Sequence, residues 1–341
     1  MKNRIDLGKY NVRTDLMIDN QIQESNISRR KIRDSLEVTT IEIDKKLGAE
    51  LQKKEGTYVT IEFEDITNHE DRKEIEACLV EELQNLLLKK NIQNEDAGFI
   101  LGLGNRFSTA DSLGPITIDK VMVTRHLFEL ETNVKEGIRN VAAISPGVMA
   151  NTGIETYDIN TSLVEKIKPK FLIVIDALAS SSVARINRTI QITDTGIHPG
   201  SGIGNNRKEI SMDTLGVPVI AIGVPTVVES SIIVSDTMDY LFKHLSYIKH
   251  HYALNKLTFG MKKGYLDKIE KENLSEEEKK EVSGILGTLS EEQKREFIYE
   301  VLNSIDYNLI VTPKEIDFLI ENLSEVIANS INKGLHLAVN D

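Results

Sequence analysis

Runs of consecutive apolar residues punctuate the middle of this chain: AGFILGLGN, NVAAISPG, KFLIVIDAL and VPVIAIGVP, each closed by turn-forming residues. A strand with one wet face alternates apolar and polar residues, so an unbroken apolar run of strand length fits a strand buried on both faces. Such strands belong to parallel sheets covered by helices. The covering layer is legible too. After the alternating strand YVTIEFED, the segment EIEACLVEELQNLLLKK sets Ile75, Leu79, Leu83 and Leu86 on one helical face. ITIDKVMVTRHLFEL reads as a second helix, although its β-branched residues also suit a strand. The expectation is an α/β fold: an open, twisted, mostly parallel sheet with helices on both faces.

Beyond Val234 the sequence turns to charged amphipathic helices. Ser275 with Glu278, Ser290 with Gln293 and Thr312 with Glu315 each fit a capping box, and Pro313 suits a first helical position. The expected division is an α/β core over 16–234 and a C-terminal helical region over 235–341, packed on that core.

Charge and cysteine content narrow the function. With 53 acidic against 41 basic residues the net charge is −12, which opposes the attraction to phosphates behind most nucleic-acid binding. Direct nucleic-acid contact is not expected. The single cysteine, Cys78, can form no internal disulfide and sits among apolar helical neighbours. The N-terminus has no apolar core of the secretory kind, and the longest apolar stretch, Val217 to Val228, falls short of the ~20 residues a bilayer span needs. A cytoplasmic protein with no membrane association is expected.

In open α/β sheets ligands bind outside the carboxyl ends of the strands. Two acids sit at such ends. Asp111 follows AGFILGLGN across the loop RFSTA, and Asp176 closes the run FLIVID. Two neighbouring carboxylates cannot both ionise cheaply, so one can hold a proton while the other accepts one from water, as peptide hydrolysis requires. Taken singly, Asp111 also reads as a helix N-cap.

Other motifs carry less. Gly102-Leu103-Gly104 opens like a dinucleotide fingerprint, but Phe107 stands where its last glycine belongs, and there is no Walker-type loop. Ser201 lacks the nucleophile-elbow context. The segment DTGIHPGSGIGNNRKE reads equally as an anion cradle with Arg207 or Lys208 and as an active-site loop. Within it His198 is the histidine retained, as a candidate substrate contact. No cofactor is expected and no metal is assigned.

The blocks GLGNRFSTADSLGP, VTRHLF, VIDALAS, QITDTGIHPGSGIGN and TLGVPVIAIGVPTVV, in that order after YNVRTDL, resemble the spore germination proteases, an atypical aspartic endopeptidase family. The resemblance implies degradation of small acid-soluble spore proteins during germination, in the developing spore and spore core. It implies Asp111 and Asp176 as the catalytic pair, and a homotetrameric zymogen that removes an N-terminal propeptide by its own action. Here the propeptide would be residues 1–15, with cleavage between Asp15 and Leu16. The core is also similar to hydrogenase maturation endopeptidases, which supplies an alternative. A non-catalytic oligomeric binding protein, with its acids as caps and salt-bridge partners, is another.

Overall fold

The computed structural model describes residues 14–20, 22–23, 26–51, 53–130, 133–199, 208–251, 291–302 and 309–339, with isolated positions between 275 and 289. Its strands are β1 (Ile27–Arg33), β2 (Leu36–Ile43), β3 (Gly56–Phe63), β4 (Gly98–Gly102), β5 (Val141–Ile144), β6 (Phe171–Ser180), β7 (Thr189–Thr193), β8 (Val219–Glu229) and β9 (Ile310–Val311). Its helices are α1 (Lys45–Leu51), α2 (His69–Lys89), α3 (Leu113–Ile118), α4 (Arg125–Leu130), α5 (Met149–Thr152), α6 (Thr156–Ile167), α7 (Met212–Leu215), α8 (Ser230–His251), α9 (Glu291–Leu302) and α10 (Ile316–Leu335).

The chain divides into two compact units. One comprises Arg13–Val227 and Thr312–Asp341 and holds most of the sheet, in the order β1-β2-β3-β7-β8-β6-β4-β5. Its heart is parallel: β4 lies between β5 and β6, in register Gly98 with Val141 on one side and Gly98 with Phe171 on the other. The flank β1-β2-β3-β7 is antiparallel, and β7 pairs antiparallel with β8. This mixed α/β sheet with its helices is the architecture expected. The antiparallel flank is an addition, because β1, β2 and β7 mix polar with apolar residues and give no unbroken apolar run.

Residues alternate between faces along β6. Ile173 and Ile175 join Ile75, Leu79 and Leu83 of α2 and Ile320, Leu323 and Ile327 of α10 in the larger core. Leu172 and Val174 point the other way, into a smaller core with Val164 of α6. Helices therefore cover both faces, which is why β6 carries no exposed position from Phe171 to Asp176.

The segment ITIDKVMVTRHLFEL is not one helix. It contributes the end of α3 and, after a break, α4. In that break the Met122 N–H donates to Asn332 Oδ1 of α10 (2.8 Å), and the Thr124 hydroxyl donates to the Arg139 carbonyl (2.5 Å). These tertiary partners outbid weak helical propensity. Thr312 does not cap α10, whose N-cap position is Glu315 with no side-chain cap bond. Its hydroxyl instead donates to the Thr226 carbonyl of β8 at 2.8 Å. The pairs Ser275 with Glu278 and Ser290 with Gln293 fall partly outside the described residues.

The other unit includes Val228–Val311. In it α8 packs on α9, β9 pairs antiparallel with the last residues of β8, and the Lys294 ammonium lies 5.3 Å from the Phe242 ring centroid. The segment 235–341 thus supplies α9 and all but the first turn of α8 to this unit, and α10 to the core of the other.

The C-terminal end of α10 is tied to β5. Buried Arg139 donates through Nε to the Leu335 carbonyl (3.2 Å) and through Nη1 to the Gln93 carbonyl (2.8 Å), and its backbone N–H donates to Nδ1 of His336 (3.1 Å). His336 must be neutral at Nδ1 to accept. Burial, reinforced by the Arg139 charge, holds its pKa below the ordinary 6.5. The unfolded chain therefore binds this proton at higher pH than the folded one. The stabilisation is complete above 6.5 and is lost as pH falls through the lowered folded value. Unfolding free energy from denaturant titrations is expected to decline on acidification below 6.5, and His336→Gln to decline less steeply. Superimposable pH slopes for the two chains would exclude His336 as the source.

Candidate active site

Asp111 is positioned by glycines. β4 ends at Gly102, and the Leu103 N–H continues the parallel ladder by donating to the Ile175 carbonyl of β6 (2.8 Å). The chain then turns at Gly104, whose φ of +111° is a region that L side chains rarely adopt. A Cβ there would lie 2.1 Å from the Asp111 carbonyl oxygen. That close approach lets the Asn105 N–H reach both the Asp111 carbonyl and Asp111 Oδ2, each at 2.9 Å. Asp111 ends a single 3-10 turn, Thr109–Asp111, and the N-cap position of α3 belongs to Ser112. The preceding carbonyl, that of Ala110, accepts from the Thr226 hydroxyl of β8 at 2.7 Å. The strand ends of β4 and β8 thus both hold the turn, which also packs against β6.

Asp176 follows Ile175, the residue in register with Gly102 of β4. It is buried (6% exposed), and its Oδ1 accepts from the Ala177 N–H at 3.0 Å. By strand alternation Asp176 shares a face with Leu172, Val174 and Leu178. Asp176 does not close its strand, since β6 runs on to Ser180, but the ladder that pairs β6 with β4 ends at Ile175, so Asp176 stands just past that ladder and Asp111 on the turn that follows β4.

The Asp15–Leu16 peptide lies farther along β6. Asp15 N–H donates to the Ala179 carbonyl (3.1 Å), the Ala179 N–H donates to Asp15 Oδ2 (3.0 Å), and the Gln191 side chain of β7 donates to the Asp15 carbonyl (3.2 Å). Gln191 Oε1 in turn accepts from the Met17 N–H at 2.6 Å. Leu16 and Met17 are fully buried. Lys53 reaches the Thr14 carbonyl at 3.4 Å; burial lowers its pKa, while the charges of Asp15 and Asp19 oppose that shift. Residues 1–13 of the expected propeptide lie outside the described residues.

An open cavity of about 780 Å³ adjoins this segment, lined by Asp15, Lys53, Tyr58, Leu178, His198 and Glu209 among others. It brings Asp15 and His198 to one space, on the face of β6 that also carries Asp176. Neither Asp111 nor Asp176 is among its lining residues. His198 is half exposed, with Nε2 3.5 Å from Glu209, and Glu209 also pairs with Lys54. Residues 200–207 of the glycine-rich segment are outside the described residues, while Lys208 lies over the Tyr157 ring (4.9 Å). Cys78 is buried in α2 and its thiol pKa is raised by that burial, which disfavours the thiolate. Among the described residues no group of three or more His, Cys, Asp or Glu side chains could hold a metal ion, and no helix is long and apolar enough to cross a membrane.

Sequence reasoning did not single out Gln191, Thr226, Asp19 or Arg185. Gln191 had a readable signal, a lone amide inside the apolar TIQIT. The rest depend on which strands become neighbours.

Comparison with known proteins adds a family. Residues 10–341 match the family model described as germination protease. The germination protease of Geobacillus sp. (strain WCH70) is 43% identical, the match covering 98% of this chain and 96% of that one. That of Bacillus cereus (strain ATCC 10987 / NRS 248) is 44% identical with the same coverage of both. Among solved structures, a NiFe hydrogenase maturation protease from Thermococcus kodakarensis KOD1 matches 42% of this chain and 80% of its own at 16% identity, with a TM-score of 0.28.

The turn holding Asp111 makes a stability prediction. Gly104→Ala meets both the positive φ and the Asp111 carbonyl, and Gly114→Ala would set its Cβ 2.2 Å from the Leu103 carbonyl oxygen. Gly153 also has positive φ (+71°) but has nothing within 4 Å of its Cβ position. Both clashing variants are expected to lose more stability than Gly153→Ala, Gly104→Ala by at least about 1–3 kcal/mol. Denaturant titration of the three decides, and equal losses would mean that the close approach is not what fixes the turn.

Proposed function

The chain belongs to the germination protease family and is an endopeptidase acting in spore germination, and from that premise we propose that Asp111 and Asp176 are its catalytic carboxylates. The observation that carries this reading is the direct pairing of β4 with β6, which sets the Asp111 turn beside the strand that bears Asp176. One carboxylate takes a proton from the attacking water. The other, protonated, polarises the scissile carbonyl and then gives its proton to the leaving nitrogen. Each has a backbone N–H holding one oxygen, from Asn105 for Asp111 and from Ala177 for Asp176, which helps to fix its orientation.

The substrates in this reading are small acid-soluble spore proteins, met in the developing spore and spore core by a homotetramer. His198, on the cavity wall, contacts substrate there. The chain is made as a zymogen and cuts itself between Asp15 and Leu16. The docking of Asp15 against Ala179 and Gln191, beside that same cavity, supports this, because the uncut segment occupies backbone groups along the edge that a substrate strand would approach.

The test compares the wild-type chain with Asp111→Asn and Asp176→Asn on a purified small acid-soluble spore protein, following fragments by mass spectrometry and folding by circular dichroism. Asparagine keeps the shape and removes the titrating group. Each folded variant is expected to lose activity by ~10²-fold or more, the scale of a general acid or base. Self-processed wild type is expected to begin at Leu16 on N-terminal sequencing. Variants that cut as fast as wild type would dismiss the carboxylate pair, and an intact spore protein would leave the family's peptidase activity needing another substrate.

A further inference from the structure

The Thr14 hydroxyl stands between the Leu16 backbone nitrogen and a buried carboxylate. It accepts from the Leu16 N–H at 3.1 Å and donates to Asp19 Oδ2 at 2.5 Å. The Asp19 side chain is fully buried. Its Oδ1 pairs with Arg185 Nη1 (2.6 Å), and its Oδ2 also accepts from the Ser181 N–H (2.9 Å) and the Ser180 hydroxyl (3.3 Å). We propose that Asp19 is a preformed binding site for the α-ammonium created at Leu16 by cleavage of the Asp15–Leu16 bond. The site rests on the cleavage reading given above and adds what becomes of the new terminus.

The chemistry balances within one hydrolysis. Water adds its hydroxyl to the Asp15 carbonyl carbon and a proton to the Leu16 nitrogen. At neutral pH the new acid ionises and the new amine takes up a proton. Thr14 and Asp15 depart with the upstream segment, so Asp19 Oδ2 loses the Thr14 hydroxyl, keeping the Ser180 hydroxyl and the Ser181 N–H, as the nitrogen that Thr14 had bridged to it changes from a single N–H to an ammonium with three donors. A charge-assisted bond replaces a neutral relay.

Apart from the Leu16 N–H bond to Thr14, the contacts that hold Leu16 and Met17 in place lie on residues that stay after the cut. Leu16 and Met17 are fully buried, Asn20 Nδ2 donates to the Leu16 carbonyl (3.1 Å), and the Met17 N–H donates to Gln191 (2.6 Å). The charged groups around the site are Arg185, Glu62 behind it at 3.1 Å, and Lys53, whose pKa Asp19 itself helps to sustain against burial. Once Asp15 leaves, the site holds more positive charge than before, so Asp19 is the carboxylate the ammonium meets. Held in this way, the segment from Leu16 to Asn20 stays clamped on β6 and β7 in the processed protein.

The full chain is allowed to process itself, its new terminus is sequenced, and the terminal amine is titrated by competitive labelling with acetic anhydride across pH, read by mass spectrometry. Burial alone lowers the pKa of an amine, whereas pairing with Asp19 raises it, so the direction discriminates. Wild type beginning at Leu16 is expected to titrate about one unit or more above the ordinary range of about 7.7–8.0, a tenfold gain in proton affinity. Processed Asp19→Asn is expected to return to that range or below it. Should Asp19→Asn fail to fold or to process, the wild-type titration decides alone. A terminus at Leu16 with an ordinary or lowered pKa overturns the Asp19 site and leaves the cleavage reading standing. A terminus elsewhere, or no processing, overturns the cleavage reading and this site with it.

Discussion

The parallel pairing of β4 with β6 is the constraint from which the rest of the site follows. Gly102 stands in register with Ile175, and the ladder runs one bond further through the Leu103 N–H. Slipping that register by one residue would turn every side chain of β6 to the opposite face, exchanging Ile173 and Ile175 of the larger core for Leu172 and Val174 of the smaller. Both faces are packed, so the register is specified twice over. Because it is fixed, so is the point at which the pairing of β4 with β6 ends, and with it the places of Asp176 and of the turn bearing Asp111.

That turn depends on close backbone approach more than on side-chain contact. Gly104 and Gly114 stand where a single Cβ would lie little more than 2 Å from a carbonyl oxygen, one against Asp111 and the other against Leu103. The Asp111 carboxylate is therefore held by the shape of the chain, with the Asn105 N–H supplying polarity and Thr226 bracing the turn from β8. Such a site has few rotamers to order before it can act.

The legible parts of the fold were those where burial and periodicity agree. The apolar runs of β4, β5, β6 and β8 and the stripe of α2 need no partner to be recognised. The hairpin of β1 and β2 was not legible, because SRRKIR presents an exposed, charged edge whose only strand signal is the neighbour it pairs with. The break between α3 and α4 and the recruitment of Thr312 to β8 were decided by tertiary partners distant in sequence. At the site, Asp111 and Asp176 could be named from their places after apolar runs, whereas Asp19 and Arg185 acquire meaning only when Thr14 folds back between them and the Leu16 nitrogen.

The burial of Leu16 and Met17 bears on time as well as on place. No hydrolytic site, whether on the same molecule or another, can enclose the bond between Asp15 and Leu16 while those side chains are packed and the peptide is hydrogen-bonded to Ala179 and Gln191. Unseating two buried aliphatic side chains costs about 1.5–3 kcal/mol apiece. The fraction of molecules with the bond presented is then on the order of one in a hundred to one in ten thousand. In the processing proposed above, wherever opening is fast compared with cutting, the pace would be that small population multiplied by the rate of chemistry. Conditions that loosen the edge of the sheet by about a single kilocalorie would then shorten the delay severalfold, and under that proposal the packing around this segment would act as a clock whose rate the surroundings set.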